Sequence, residues 1–329
     1  MPNNLKDLFK NKTSLWLLGI AAVLLLAILV ISPQMRTPTP RKPEPVTPAP
    51  EVKKYQEEPT ITVFLHKTNG IEKMPLEKYL EGVVAAEIGP KFPPEALKAQ
   101  AIVARSMTMA KIVRGGVQNE HNADTCDLPE HFQAYDRDKV TPAIAKAVKD
   151  TRGQVLLYNG RFAYALFHSY AGPRTASLQE SFPELAKTAA PYTQVVDSPG
   201  ARFAPPRERR WQASVPKSEL QGIFGSGADI DAIKITRKGP SGRAIDITAG
   251  DKAVKGYDLR MRLGPERLRS TLITGISVKG NNVVFTGTGW GHGCGMAQWG
   301  AYEMAKEGKT AREIVEHYYP NTRLFTAWK

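Results

Sequence analysis

The chain has 329 residues, 42% hydrophobic and 23% charged, a balance that can build a buried core and excludes wholesale disorder. Lys and Arg outnumber Asp and Glu by 45 to 32, a net charge of +13, so acidic partners come into view: nucleic acid, anionic lipid or a polyanionic cell wall. No long block of Lys or Arg follows residue 54, which argues against a nucleic-acid arm, and two cysteines, Cys126 and Cys294, exclude a disulfide framework and allow one bridge at most.

Leu15 to Ile31 is an unbroken run of 17 apolar or small residues. As a helix it measures roughly 26 Å, close to the hydrocarbon thickness of a bilayer. Lys6, Lys10 and Lys12 precede it, which predicts a single pass with a cytoplasmic N-terminus. The stretch after Ile31 offers no small-x-small cleavage site, so an uncleaved anchor is expected rather than a signal peptide. Eight prolines then fall between Pro33 and Pro59, a composition that favours extended conformations and suits a spacer. The expected organisation is a cytoplasmic tail (1–14), a transmembrane helix (15–32), a Pro-rich spacer (33–59) and an extracytoplasmic domain (60–329).

In that domain, Ile61 to His66 reads as a strand. Leu76, Tyr79, Leu80, Val83 and Val84 recur at helical spacing until Gly89-Pro90. Pro93-Pro94 opens a second helix with a small-residue face, so two helices meet near Glu87. Glu77, Glu81 and Glu95 are expected on exposed faces. A polar loop runs from Gly115 to Asp136, and a helix follows around Val140 to Lys149. QVLLY-NG-RFAYALFH has an Asn-Gly pair between β-rich runs, the mark of a tight hairpin, with His168 at its far end. Residues 171 to 210 read as long loops. Strands are expected at Trp211–Val215, Ala232–Ile235, Ala244–Ile247, Ile276–Val278 and Val283–Thr286, with short helices at Lys217–Phe224 and Tyr257–Leu263. Thr310 and Glu313 form a capping box for a last helix that ends before Pro320. The predicted fold class is α+β, a single mixed domain of helices and short antiparallel strands behind one N-terminal transmembrane helix.

The most specific stretch is Gly287 to Tyr319. Five glycines alternate from Gly287 to Gly295 and hold His292 among them, while the GxxxxGK[ST] pattern of a nucleotide site is absent. GHGCGMAQWGA, followed by MAKEG and EIVEHYYPNT, together with LEKYLEGVVAAEIGPKFPPEALKAQAIVARS upstream, resembles the stage II sporulation protein D family. The resemblance covers most of residues 60 to 325 and is loose between about 180 and 260.

The resemblance implies a membrane-anchored lytic transglycosylase of peptidoglycan. It puts the catalytic acid at Glu87, in VVAAEIG, where apolar neighbours would desolvate the carboxyl and keep it protonated near neutral pH. One acid then suffices, because the muramic acid C6 hydroxyl is the nucleophile. His168 and Arg174, in HSYAGPRTA, and His292 and Gln298, in the C-terminal motif, are the expected substrate-binding residues. His121, Cys126 and His131 offer an imidazole, thiolate and imidazole set suited to zinc. Phe132 stands where some family members have a further Cys, so a fourth ligand would come from Asp124, Asp127 or water. No cofactor is expected to be required for catalysis, and a structural zinc is the metal in question.

The implied partners are peptide-stripped glycan strands, an amidase and a polytopic membrane protein of an engulfment complex, with no nucleic acid. Two other functions stay open. One is a noncatalytic glycan-binding module that enhances an amidase; the other is a zinc hydrolase built on the His121, Cys126 and His131 loop. Cys294, two residues from His292, also raises a cysteine-nucleophile reading, although a loop rarely gives that spacing the required geometry.

Overall fold

The computed structural model describes residues 47–129, 131–186 and 190–329. The expected cytoplasmic tail, the membrane segment at 15–32 and the spacer up to residue 46 therefore lie outside the described residues. Among the described residues no helix is long and apolar enough to cross a membrane.

After a one-turn helix at Pro50–Lys53 comes a hairpin of β1 (Thr60–Leu65) and β2 (Gly70–Pro75), turned through Asn69 in the left-handed region. Helices α1 (Leu76–Glu87) and α2 (Pro94–Ile112) follow, separated where expected by Gly89-Pro90. Then come β3 (Thr125–Cys126), α3 (Pro142–Asp150), β4 (Gln154–Tyr158), β5 (Arg161–Phe162) and β6 (Phe167–His168). A second group comprises β7 (Trp211–Pro216), α4 (Lys217–Phe224), β8 (Lys234–Lys238), β9 (Ala244–Ala249), β10 (Lys252–Lys255), α5 (Gly256–Leu263), β11 (Ile273–Lys279) and β12 (Asn282–Gly287). The chain ends with β13 (Met296–Ala297), α6 (Gln298–Lys306), α7 (Ala311–Tyr318) and β14 (Arg323–Thr326).

Helix α2 is the organising element because its small side chains let neighbours approach from several sides. It packs against α1, α3, α6, α7 and β4. Leu97, Ala101 and Ala104 belong to one core with α1 and β1, while Ala96, Ala99, Ile102 and Val103 belong to another with α6 and α7. Enlarging one of these alanines would overpack a filled interior, at a cost of about 1–3 kcal/mol. Residues 211–285 form a separate core around Trp211, Val215, Leu220, Leu259 and Phe285.

Most strand pairs are antiparallel, as expected. β1–β3 and β6–β13 are not: both are short parallel pairs, two residues on each strand. They join segments far apart in sequence, and parallel pairing requires such a long crossover. The hairpin at Asn159-Gly160 forms with both residues at positive φ, as a two-residue turn of this kind demands. Its second strand, however, stops after Phe162. His168 is therefore not at the hairpin's far end but on β6, paired with β13.

Glu77 also departs from expectation. It is buried rather than on an exposed face, and Arg105, fully buried, grips it with Nε–Oε1 at 3.0 Å and Nη2–Oε2 at 2.6 Å. Glu77 Oε1 further accepts from Gly153 N (3.1 Å) and Trp328 Nε1 (3.0 Å), so the network ties α1 and α2 to the chain's last residues. Glu81 and Glu95 are less covered and pair locally with Lys78 and Lys98. The expected capping box at Thr310 and Glu313 is present, and α7 ends at Tyr318.

Candidate active site

Glu87 is the last residue of α1 and opens, half-buried, into a cavity of about 320 Å3. Met107 and Lys111 of α2, His131 and Phe132 of the polar loop, Phe167 of β6 and His292 of the Gly-rich loop line the same cavity. Glu87 is the sole acidic residue among the described lining residues. Burial pushes its carboxyl up to about 7 from an ordinary value of 4.5. The negative end of the α1 dipole acts in the same direction. Hydrogen bonds from Ala134 N to Oε1 (3.0 Å) and from Gln298 Nε2 to Oε2 (3.5 Å) oppose the rise without cancelling it. The group is thus poised to exchange a proton near neutrality.

Gly82 positions the first of these donors. A Cβ at Gly82 would stand 2.3 Å from the Tyr135 ring, so only glycine lets that ring lie on α1, where it stacks on Tyr79 with centroids 5.3 Å apart. Asp136 N then bonds Gly82 O at 3.1 Å, and the segment carrying Ala134 is laid beside the end of the helix.

The two motifs recognised in the sequence meet at Glu87. The β6–β13 pair sets Ala297 opposite His168, and α6 starts at the next residue, Gln298, whose amide reaches Glu87. The glycine alternation is required here by close contact. A Cβ at Gly291 would lie 2.7 Å from His168 Cβ, and one at Gly293 would lie 2.4 Å from the Arg243 guanidinium. Arg243 is fully buried and bonds Ala171 O (2.7 Å) and Arg174 O (3.1 Å), clamping the HSYAGPR segment to the Gly-rich loop.

Of the four residues expected to contact substrate, His292 alone lines the cavity. Its Nε2 faces Phe167 O at 2.8 Å and its Nδ1 faces Cys294 N at 3.2 Å, an arrangement that assigns the neutral Nε2–H tautomer. Burial, assisted by Arg260 and Arg243, pushes its pKa down to about 3. His168 is buried behind it, bonded through Nδ1 to Cys294 O at 3.1 Å, and burial holds its pKa well below the ordinary value. Gln298 is buried too and supports Glu87 from behind rather than lining the cavity. Arg174 is half-exposed and stands apart from the lining, with Nε 3.3 Å from Asp197 Oδ1.

Cys294 is fully buried, and burial pushes its thiol up to about 12. Both ring nitrogens of His292 are engaged by the backbone, so no base serves the thiol and the cysteine-nucleophile reading fails. Cys126 and Cys294 are both free thiols. Glu208, which sequence reasoning overlooked, is a second buried acid with a pKa raised by desolvation. Its Oε2 accepts from Ser169 Oγ at 2.6 Å, and it is not among the residues lining the Glu87 cavity.

The polar loop brings His121 and His131 together, Nε2 to Nδ1 at 3.0 Å. Their third companion is His66, from just beyond β1, with one potential ligand atom of each histidine within 4.8 Å of the others. Cys126 is not in this group. Its side chain is buried, its Sγ lies 4.0 Å from Leu128 O, and burial raises its pKa. Phe132 is core, packed at 6.5 Å from the Tyr79 ring. Asp124 is occupied by Thr62, accepting from its N and Oγ1 at 2.8 Å each, while Asp127 Oδ1 lies 2.5 Å from His66 Nδ1. Nothing in the sequence spacing pointed to His66, which is 55 positions or more from its companions and comes near only through the parallel β1–β3 pairing.

These features define a class: an α+β domain with a desolvated carboxylic acid at a cavity where two helices and a glycine-rich loop converge. Residues 65–158 match the family model described as Stage II sporulation protein. The chain is 31% identical over 286 residues to stage II sporulation protein D of Bacillus amyloliquefaciens, covering 83% of this chain and 80% of that protein. It is 31% identical over 282 residues to stage II sporulation protein D of Bacillus subtilis (strain 168), covering 82% and 79%. The chain belongs to the stage II sporulation protein D family. It is also similar to the amidase enhancer of Bacillus subtilis (strain 168), 25% identical over 294 residues, 74% of this chain but 40% of the enhancer.

Proposed function

We propose that this protein is a lytic transglycosylase that cleaves peptidoglycan glycan strands between N-acetylmuramic acid and N-acetylglucosamine during sporulation, with Glu87 as its acid and base. The observation that carries the reading is the placement of Glu87: one cavity-lining carboxyl, half-buried, with its pKa raised to about 7. A protonated Glu87 donates its proton to the glycosidic oxygen as the C1–O bond breaks. The resulting carboxylate takes the proton of the muramic acid C6 hydroxyl as that oxygen bonds to C1. The products are a free 4-hydroxyl end and a 1,6-anhydro end, no water is consumed, and Glu87 is again protonated. A second carboxylate, which hydrolytic glycosidases need to activate water or form a covalent intermediate, has no role in this chemistry.

His292, neutral throughout this pH range, offers an uncharged wall to the sugar, and Lys111 adds the positive charge that suits the lactyl carboxylate of peptide-stripped muramic acid. Membrane attachment through residues 15–32, an extracytoplasmic setting, and association with an amidase and a polytopic membrane protein belong to the same proposal. The 25% identity to an amidase enhancer supports a second reading, in which the cavity binds glycan without cutting it.

The test is to incubate wild-type protein and Glu87→Gln with peptide-free glycan strands and identify the products by mass spectrometry. Anhydro products from wild type alone support the enzyme. Intact strands from both, with faster cleavage by an added amidase, overturn it in favour of the enhancer.

A further inference from the structure

We propose that Arg207 and Arg269, set around Trp290 beside the Gly-rich loop, form a carboxylate-binding subsite that takes the lactyl group of a muramic acid other than the one at Glu87. The inference rests on the reading that peptide-stripped glycan is the ligand, and it holds whether the strand is cut or only bound.

Both guanidiniums stand over the Trp290 ring, Arg207 Cζ 5.0 Å and Arg269 Cζ 4.6 Å from its centroid. Two like charges drawn to one indole repel each other, and an anion shared between them relieves that repulsion. Neither forms an ion pair among the described residues. Glu208, the acid beside both, is buried and gives Oε2 to Ser169 Oγ at 2.6 Å. Backbone carbonyls fix Arg269: its Nη1 donates to Arg207 O at 2.7 Å, and its own carbonyl accepts from Arg260 Nε at 3.3 Å. The Arg207 guanidinium is exposed and has no hydrogen bond among the described residues, so its whole fork is open to a ligand.

The subsite is joined to the Glu87 site through the chain itself. Trp290 stands two residues before His292, which lines that cavity, and Gly291 N donates to Arg269 O at 3.0 Å. Trp299 follows Gln298, whose amide reaches Glu87, and its half-buried ring lies 5.0 Å from Phe92 and 5.4 Å from Tyr302. Aromatic faces and an unpaired cationic fork suit a glycan that carries carboxylates. The lactyl carboxyl is charged only where the peptide is gone, because a stem peptide converts it to a neutral amide. A second arginine contact therefore reads the stripped state at a position away from the bond to be cut.

Full-length Glu87→Gln keeps strands intact, so binding of end-labelled, peptide-free glycan can be followed by fluorescence anisotropy. Converting the lactyl carboxylates to amides should weaken binding about tenfold. Adding Arg207→Gln should weaken binding of the native strands by a similar factor and leave the amidated strands unchanged, with Arg207→Lys, which keeps the charge without the fork, in between. Lys234→Gln, which removes one exposed charge from β8, should bind as its parent does. The proposal is overturned by equal affinity of the parent for both strands, by an Arg207→Gln change that weakens both alike, or by an equal loss in Lys234→Gln. Anhydro products from wild type without this carboxylate dependence would remove the subsite and leave the transglycosylase reading. The dependence without any cleavage would keep the subsite and favour the enhancer.

Discussion

Gln298 and Glu87 lie 211 positions apart in the chain, yet the amide nitrogen of the first stands 3.5 Å from Oε2 of the second. The long bond favours the charged carboxylate only weakly. Together with the Ala134 amide it holds the group near neutrality against a burial effect that would carry it higher. Gln298→Leu removes the donor while keeping the volume similar. The alkaline limb of kcat/KM should then move to higher pH by about half a unit, with activity at pH 6 little changed. A pH–rate profile on glycan strands checks this, and an unmoved limb would show that the amide does not act on Glu87.

Glu87→Gln should separate activity from stability. Anhydro-product formation should fall by a factor of about 10²–10⁴, the usual contribution of a general acid. Stability should move the other way at alkaline pH. The folded-state pKa of about 7 lies above the ordinary 4.5, so the native state is favoured with the proton on, fully so below about pH 4.5, and that advantage is lost as pH rises through about 7. At about 1.4 kcal/mol per pH unit the burden on the wild type reaches up to about 3 kcal/mol at pH 8, reduced by the partial exposure of the group. Urea denaturation of both proteins at pH 5 and pH 8 measures it. The variant should gain on the wild type only at pH 8.

Much of this site is legible in the sequence because its signals are local. The apolar stretch before Glu87 predicts desolvation and the Gly89-Pro90 pair predicts where α1 ends; the structure shows both. What the sequence hides depends on long-range pairing. His66 joins His121 and His131 because β1 and β3 run parallel, and His168 leaves its hairpin because β6 finds β13. Glu77 resembles a solvated helix residue until Arg105, about three turns into the next helix, is placed against it. Hydrophobic periodicity reports which face of a helix is buried, and it carries no information about a charge that is buried with its partner.

That ion pair sets up a contrast with Glu87. Glu77→Ala would leave Arg105 fully buried with no carboxylate, and removing one partner of such a pair costs about 3–5 kcal/mol. The denaturant midpoint should fall accordingly, while the folded fraction keeps the wild-type pH dependence of cleavage, because Glu77 is not among the cavity-lining residues. A changed pH profile in folded Glu77→Ala would mean that the network reaches the catalytic group.

Gly82 gives a test of how the site is assembled at a distance from the chemistry. Gly82→Ala puts a methyl where the Tyr135 ring lies, at 2.3 Å, so the ring must leave α1 and draw the Ala134–Asp136 segment with it. Glu87 then loses the Ala134 amide, the nearer of its two donors, and its pKa rises further. The expected result is a lower kcat at pH 6, with the alkaline limb displaced upward by more than in Gln298→Leu. Alanine itself suits a helix interior better than glycine by about 1 kcal/mol, so an effect through lost helix stability has the wrong sign. The double variant Gly82→Ala/Tyr135→Ala removes the clash. If steric displacement of the segment is the cause, the added Tyr135→Ala change should cost less activity in the Gly82→Ala background than in wild type. Strict additivity in this cycle would exclude the coupling between Gly82 and Tyr135 on which the placement of Ala134 depends.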